Sequence, residues 1–244
     1  MPSLTCFNRR FTPRWSMIII TTIFVAFFIR LGFWQIHRAD EKKHMLVAQA
    51  NQVKAPAQWW MGGEKAPAQY QNIKVRGHYL PTILLLDNQH YKHEFGYDVL
   101  SPLELSDGKV IVIDRGWVPA GRSRQSFPQV KPLSDDAEVL GTVYFPSANQ
   151  WILGPASEQK ANNLTLVEGI NAKLLSQVLQ KKVYPFIIRL DKQDANGFVR
   201  DWAIVSMPPE RHLGYALQWF AMALVILIIF VALNLKKENE ETTI

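Results

Sequence analysis

Two long apolar runs, one near each end, restrict this chain more than any other feature. From Trp15 to Trp34 it reads WSMIIITTIFVAFFIRLGFW, twenty residues with a single charge, Arg30. Leu213 to Leu235 carries no charge at all. At about 1.5 Å of rise per residue, each run as a helix covers the roughly 30 Å of bilayer hydrocarbon. Aromatic residues rim both, as they do at membrane–water interfaces. A core helix of a soluble domain is the competing explanation, and uncharged runs of this length argue against it. The first run follows Arg9, Arg10 and Arg14, as a leader peptide would. Instead of a small-x-small cleavage site, RLGFWQIHR comes next, so a retained anchor is expected.

Two spans put both tails on one side. The N-terminal tail is basic, and Lys236 and Lys237 follow the second span, so both tails are assigned to the cytoplasm. Arg38, Lys42 and Lys43 lie on the opposite flank, but long loops translocate largely regardless of charge. The expected organisation is a cytoplasmic tail (1–14), a first transmembrane helix (15–36), a periplasmic β-rich domain (37–210), a second transmembrane helix (211–235) and a second cytoplasmic tail (236–244). The fold class is therefore a membrane protein in which two transmembrane α-helices flank a single β-rich α+β extracytoplasmic domain.

The middle carries period-two or β-branched runs at YQNIKVRGHYL, TILLLDN, GYDVLSPL, KVIVIDRGW, EVLGTVYF, YPFIIRLD and DWAIVSM, most of them bounded by Gly, Pro, Asp or Asn. Such spacing predicts a small barrel or sandwich. GINAKLLSQVLQ places Ile170, Leu174, Leu175 and Val178 at helical spacing. A further helix is expected to continue from the first span through Ala39 to about Gln52, and APAQWWMGGEKAPAQ reads as a loop.

The formal net charge of +6 is spread along the 244 residues without a basic stripe, which excludes a nucleic-acid-binding module and suits a domain near anionic lipid. The only cysteine, Cys6, offers no disulfide framework, and a cysteine-free middle suits an oxidising compartment. No G-x-S-x-G elbow, H-E-x-x-H helix, phosphate-cradling glycine loop or C-x-x-C pair is present, so no catalytic residue is assigned and an enzyme is not expected. His90 and His93 in HYKH are candidate metal ligands with Asp87 nearby, but strand geometry sends them to opposite faces, and exposed loop histidines are the simpler reading.

Arg30 can snorkel to the interface, or its guanidinium can pair with an anionic group such as the carboxylate of a bound cofactor. It shares a helical face with Phe33 and His37, and Arg38 and Arg211 lie near the same plane. DRGWVP (Asp114–Pro119) reads as a strand-end turn with an internal charge pair, and Trp117 as a possible anchor for a partner surface. At the start of the second span, His212, Tyr215 and Trp219 fall at i, i+3 and i+7 on one face. Gly214, Gln218 and Ala221 form another, narrow enough to pack on the first span, with Gln35 a candidate partner for Gln218. A neutral imidazole flanked by rings at a membrane surface can serve as an axial haem ligand; an interfacial histidine with aromatic anchors is the simpler reading.

LGFWQIHR, YQNIKVRGHYLP, GYDVLSPLE, VIVIDRGWVP and HLGYALQWFAMA, in that order between two terminal spans, resemble the Surfeit-locus protein one family, assembly factors for haem–copper cytochrome c oxidase. The resemblance implies a bacterial inner-membrane protein, with the mitochondrial inner membrane the second choice. The absence of an evident transit peptide favours the bacterial setting. It implies haem a as transiently bound cargo, oxidase subunit I as recipient partner and haem a synthase as a possible donor. The histidine that opens the second span, here His212, is implied as the axial ligand of the iron. Tyr215 and Trp219 would then cover the ring, and Arg30 or Arg211 would pair with the propionates. Related chains often carry Asn two residues before this histidine and Gln two after it, where Glu210 and Gly214 stand here. The alternative function is a haem-free membrane scaffold that stabilises nascent subunit I.

Overall fold

The computed structural model describes residues 4–6, 9–63, 65–121, 127–133, 135–147, 155–161 and 163–237. In chain order the elements are β1 (Leu4–Cys6), β2 (Arg9–Phe11), α1 (Trp15–Lys54), β3 (Gln58–Trp59), β4 (Asn72–Tyr79), β5 (Ile83–Tyr91), β6 (Glu94–Leu105) and β7 (Val110–Pro119). They continue with β8 (Asp136–Tyr144), β9 (Ser157–Ala161), β10 (Leu164–Val167), α2 (Ala172–Leu179), β11 (Val183–Leu190), α3 (Pro209–Asn234) and β12 (Leu235–Lys237). They form two compact units, Met1–Val47 with Ile204–Ile244, and Ala48–Ala203.

In the first unit α1 and α3 are both long and apolar enough to cross a membrane. The helix expected to follow the first span is the same helix, unbroken for 40 residues. It stops at Lys54, just before Ala55 and Pro56, where the residue ahead of a proline is pushed out of the helical region. Pro208 caps α3 in an extended conformation and Pro209 takes its first turn, where a missing N–H costs nothing. The expected tails are partly ordered: β2 lies between β1 and β12, with Phe11 opposite Leu235. Residues 1–3, 7–8 and 238–244 of those tails lie outside the described residues.

The second unit is built on one sheet whose order is β3-β4-β8-β11-β7-β6-β5-β10-β9. It closes on itself, because the end of β6 (Leu103–Leu105) also pairs with the end of β4 (Gly77–Tyr79). The ring β4–β8–β11–β7–β6 is thus a small barrel, and β5, β10 and β9 extend from it along the other half of β6. Alternation sorts the side chains. Ile73, Val75, Leu103, Ile111, Ile113, Val139, Val143, Phe186 and Ile188 belong to one core cluster drawn from all five ring strands. On the opposite face of the same strands, Leu100, Val112 and Ile187 pack with Leu175 of α2. β7 is therefore buried on both faces, which is why VIVI at its start is an uninterrupted apolar run. Asn171 caps α2 by accepting from the Lys173 N–H at 2.8 Å.

Six of the seven expected strands form. DWAIVSM does not: the nearest backbone pairing is an isolated Trp117–Val199 bridge just upstream, so residues 201–207 lack a neighbouring strand among the described residues. DRGWVP is also corrected. It is not a strand-end turn but the second half of β7, paired with β6 through Pro119. Gly116, at φ +103°, supplies a bulge: Leu100 faces Asp114 while Asp98 faces Trp117. Nor does the segment hold an internal charge pair. Asp114 accepts from the Gly116 N–H, whereas Arg115 donates to the Asn196 carbonyl and the Ser101 hydroxyl.

β9 and β10 went unpredicted because SEQKA is polar and largely exposed and LTLV is only four residues long. The APAQWW loop contributes the two-residue β3. HYKH forms a hairpin tip: His90 and Tyr91 are the last residues of β5, and Lys92 and His93 both take positive φ in a two-residue turn.

Candidate functional site

α1 and α3 pair antiparallel, since contacts climb one helix as they descend the other. Phe28 stacks on Trp219 with centroids 5.7 Å apart, the Phe220 ring covers Gly32, and Gln35 meets His212. A Cβ on Gly32 would stand 2.6 Å from the Phe220 ring, so any larger residue would have to displace that ring. The face α3 turns inward is His212, Ala216, Trp219, Phe220 and Ala223, spaced i, i+4, i+7, i+8, i+11.

At the head of that face, His212 Nδ1 lies 2.7 Å from Gln35 Oε1. With the amide oxygen as acceptor, Nδ1 is the donor of this hydrogen bond. Nε2 is buried and has no hydrogen-bond partner. One turn pair further along the same face, Trp219 Nε1 is likewise buried without a partner. Buried polar atoms are nearly always satisfied, so two on one helix face call for an explanation.

The structure brings His212 and Trp219 together on this face, but not the other candidates. Tyr215 is 41% exposed. Arg30 lies two residues from both Phe28 and Gly32, roughly 200° around α1 from the contact line. It lines an apolar groove with Phe27, Leu31 and Trp34. Arg211 is exposed. The expected packing face of Gly214, Gln218 and Ala221 is corrected: all three are exposed, and nothing approaches Gly214 within 4 Å. Gln35 accordingly meets His212 and not Gln218. That partner lies 177 residues away in sequence, and only the packing of α1 on α3 brings it there.

The β unit has a polar site of its own. On β6, β7 and β11 the outward stripe that carries Leu100, Val112 and Ile187 under α2 continues, two residues on, as Asp98, Asp114 and Arg189. Arg189 and Asp114 are register partners. The Arg189 guanidinium lies 3.7 Å from the Tyr144 ring centroid and 5.4 Å from that of Trp202. Burial pushes the Asp98 carboxyl up to about 6, against the pull of Arg189. Burial, then repulsion from Asp98, pushes the Asp114 carboxyl up to about 8. His90 and Trp117, singled out separately in the sequence, line one cavity beside these groups. His93 is exposed at the turn. Among the described residues no group of three His, Cys, Asp or Glu side chains is placed to hold a metal ion.

The model of the SURF1 family matches residues 22–224. A SURF1-like protein of Rickettsia conorii is 31% identical over 218 residues, covering 86% of this chain and 88% of that protein. A SURF1-like protein of Rickettsia felis is 27% identical over 223 residues, covering 88% of this chain and 95% of its own length. One from Monosiga brevicollis is 22% identical over 241 residues, with 92% of this chain and 88% of that protein covered. The match runs from within α1 to within α3 and takes in the whole β unit, so the chain belongs to the SURF1 family.

Proposed function

We propose that this protein is a membrane-anchored assembly factor for haem–copper cytochrome c oxidase, carrying haem a to subunit I. α1 and α3 cross the inner membrane of a bacterium, both tails lie in the cytoplasm, and the β unit stands outside it. The observation that carries the reading is the His212 imidazole. Gln35 fixes its tautomer through Nδ1, and the unpartnered Nε2 is the atom an iron porphyrin would take as axial ligand. Orientation of a ligating ring by a hydrogen bond at its other nitrogen is a recurring property of metal-binding histidines.

Because Nε2 is enclosed, loading requires the side chains around it to part, and closing them again expels the cargo. A single protein ligand suits release to a recipient that offers two. Trp219, on the same face, would lie against the macrocycle with its free N–H available to an oxygen substituent. Tyr215, Arg30 and Arg211 reach it only if the helices rearrange, so in the closed pair they do not hold it. The chain acts in this reading as a carrier and not as a catalyst.

The test is an absorption spectrum of protein purified from cells that make haem a. The wild type is expected to show a Soret band, and His212→Ala to lose most of it. Equal bands would remove His212 from the role. The enclosure of Nε2 also favours a second reading, a haem-free scaffold for nascent subunit I. A colourless wild type, with oxidase assembly lost on Trp117→Ala and kept on His212→Ala, would establish that one.

A further inference from the structure

The polar stripe on the outer face of the barrel takes no part in the haem reading. It opens into a cavity of about 270 Å³ lined by Asp98, Trp117, Arg189, Asp201 and Trp202, among others. Ligand pockets usually exceed about 300 Å³, so this one suits a molecule of side-chain size and excludes a porphyrin. Its residues come from five separate stretches of sequence: the end of β5 from Gln89 to Tyr91, GYDVLSPL, DRGWVP, YPFIIRLD, and the segment from Val199 to Ala203.

Both signs of charge face this space. Asp98 and Asp201 are acceptors, and Arg189 opposes them. Arg189 Nε is a buried N–H donor with no hydrogen bond, whereas the Trp202 indole N–H is directed at the Asp114 carboxyl. Packing explains the position of the guanidinium, held between Tyr144 and Trp202, but leaves its donor unused. Trp117 and Tyr91, with centroids 5.4 Å apart, form an aromatic wall. Gly96 lies under Trp117, where a Cβ would be 2.5 Å from the indole, so the wall is fixed from behind. A lone anion would meet the two carboxylates, and a lone cation would meet Arg189. A molecule with a cationic nitrogen at one end and an oxyanion at the other satisfies both.

We propose that this cavity binds a small zwitterion, its ammonium directed at Asp98 and Asp201 and its oxyanion at Arg189. Two sources offer that chemistry, a free amino acid and the headgroup of an aminophospholipid. The aromatic wall adds cation–π attraction to the ammonium end.

The experiment uses the full chain, ¹⁵N-labelled on its tryptophans, in phosphatidylglycerol nanodiscs that contain no amine. The Trp117 and Trp202 indole N–H resonances are followed while glycine, O-phosphoethanolamine, methylammonium or acetate is added. Saturable shifts are expected from a zwitterion in the millimolar range, with each half-molecule weaker by about tenfold or more. Tighter binding of glycine identifies the free amino acid as the source, and tighter binding of phosphoethanolamine the lipid headgroup. Asp201→Asn, at an exposed position, is expected to weaken binding about tenfold, and Asp98→Asn to do the same. Asp107→Asn, outside the cavity, is expected to leave it unchanged. No saturable shift with either zwitterion, or acetate binding as tightly as glycine, overturns the proposal. The Soret measurement on His212 does not depend on this result, so the two ideas fail separately.

Discussion

In the haem-carrier reading, the hydrogen bond to Gln35 decides which nitrogen of His212 is available. Replacing Gln35 with Leu keeps the size of the side chain but removes the acceptor, so the imidazole loses both its orientation and its tautomer preference. Haem content of purified Gln35→Leu is expected to fall about tenfold or more, as happens when the outer partner of a ligating histidine is removed. Gln35→Glu, which keeps the acceptor, is expected to retain it. Equal loss in both would mean that Gln35 only packs. In the β unit the two carboxyls make stability depend on pH. Their folded values lie above the ordinary 3.8, so their contribution is complete below about pH 4 and disappears as pH rises through about 6 and then about 8. The urea midpoint of the wild type is expected to drop across that window. In Asp114→Asn, where an amide oxygen can still accept from the Gly116 N–H, the upper part of the drop should be absent. The histidine and its apolar span were legible as sequence. Its partner was not, because spacing along one helix says nothing about which residue of another stands opposite.

Among the elements, period-two alternation made the ring strands legible, since each buries one face in the barrel and any slip would turn its core residues outward. The same reasoning failed on DRGWVP. Asp, Gly and Pro are turn residues, but here Gly116 makes a bulge and Pro119 ends the strand, while β6 and β11 hold β7 on either edge. It failed on DWAIVSM for the opposite reason, a strand-like composition with no strand to pair with. α2 was readable from its apolar spacing, and its value to the fold lies in Leu175, 1% exposed over Leu100, Val112 and Ile187. Leu175→Ala is expected to cost about 2–5 kcal/mol in chemical denaturation. Leu174→Ala, one position round the helix and outside that cluster, should cost less than about 1 kcal/mol. In the helix pair, Gly32 is the counterpart. Gly32→Leu would drive a side chain into the Phe220 ring and separate α1 from α3 at the level of His212. Its expected signature is lost haem with an unchanged denaturation curve for the β unit, whereas loss of both would place the fault in folding.

At the scale of the whole molecule, the reading depends on which side of a membrane each segment faces. Both apolar helices are long enough to cross a membrane, the pairing of β2 with β1 and β12 joins the two ends of the chain, and in the proposed topology the arginines before α1 set the direction. The chain carries its own reporter, because Cys6 is the only cysteine and precedes α1. A membrane-impermeant maleimide added to spheroplasts is expected to leave Cys6 unlabelled until the membrane is opened with detergent. In a Cys6→Ser background, Ser106→Cys at the exposed turn between β6 and β7 is expected to label in intact spheroplasts. The reverse pattern would put His212 at the cytoplasmic surface. It would also place the β unit, with its open cavity, among cytoplasmic solutes. Labelling of both sites in intact cells would mean that α1 and α3 do not span. The handover to oxidase subunit I, which needs His212 near the outer surface, survives only the first pattern.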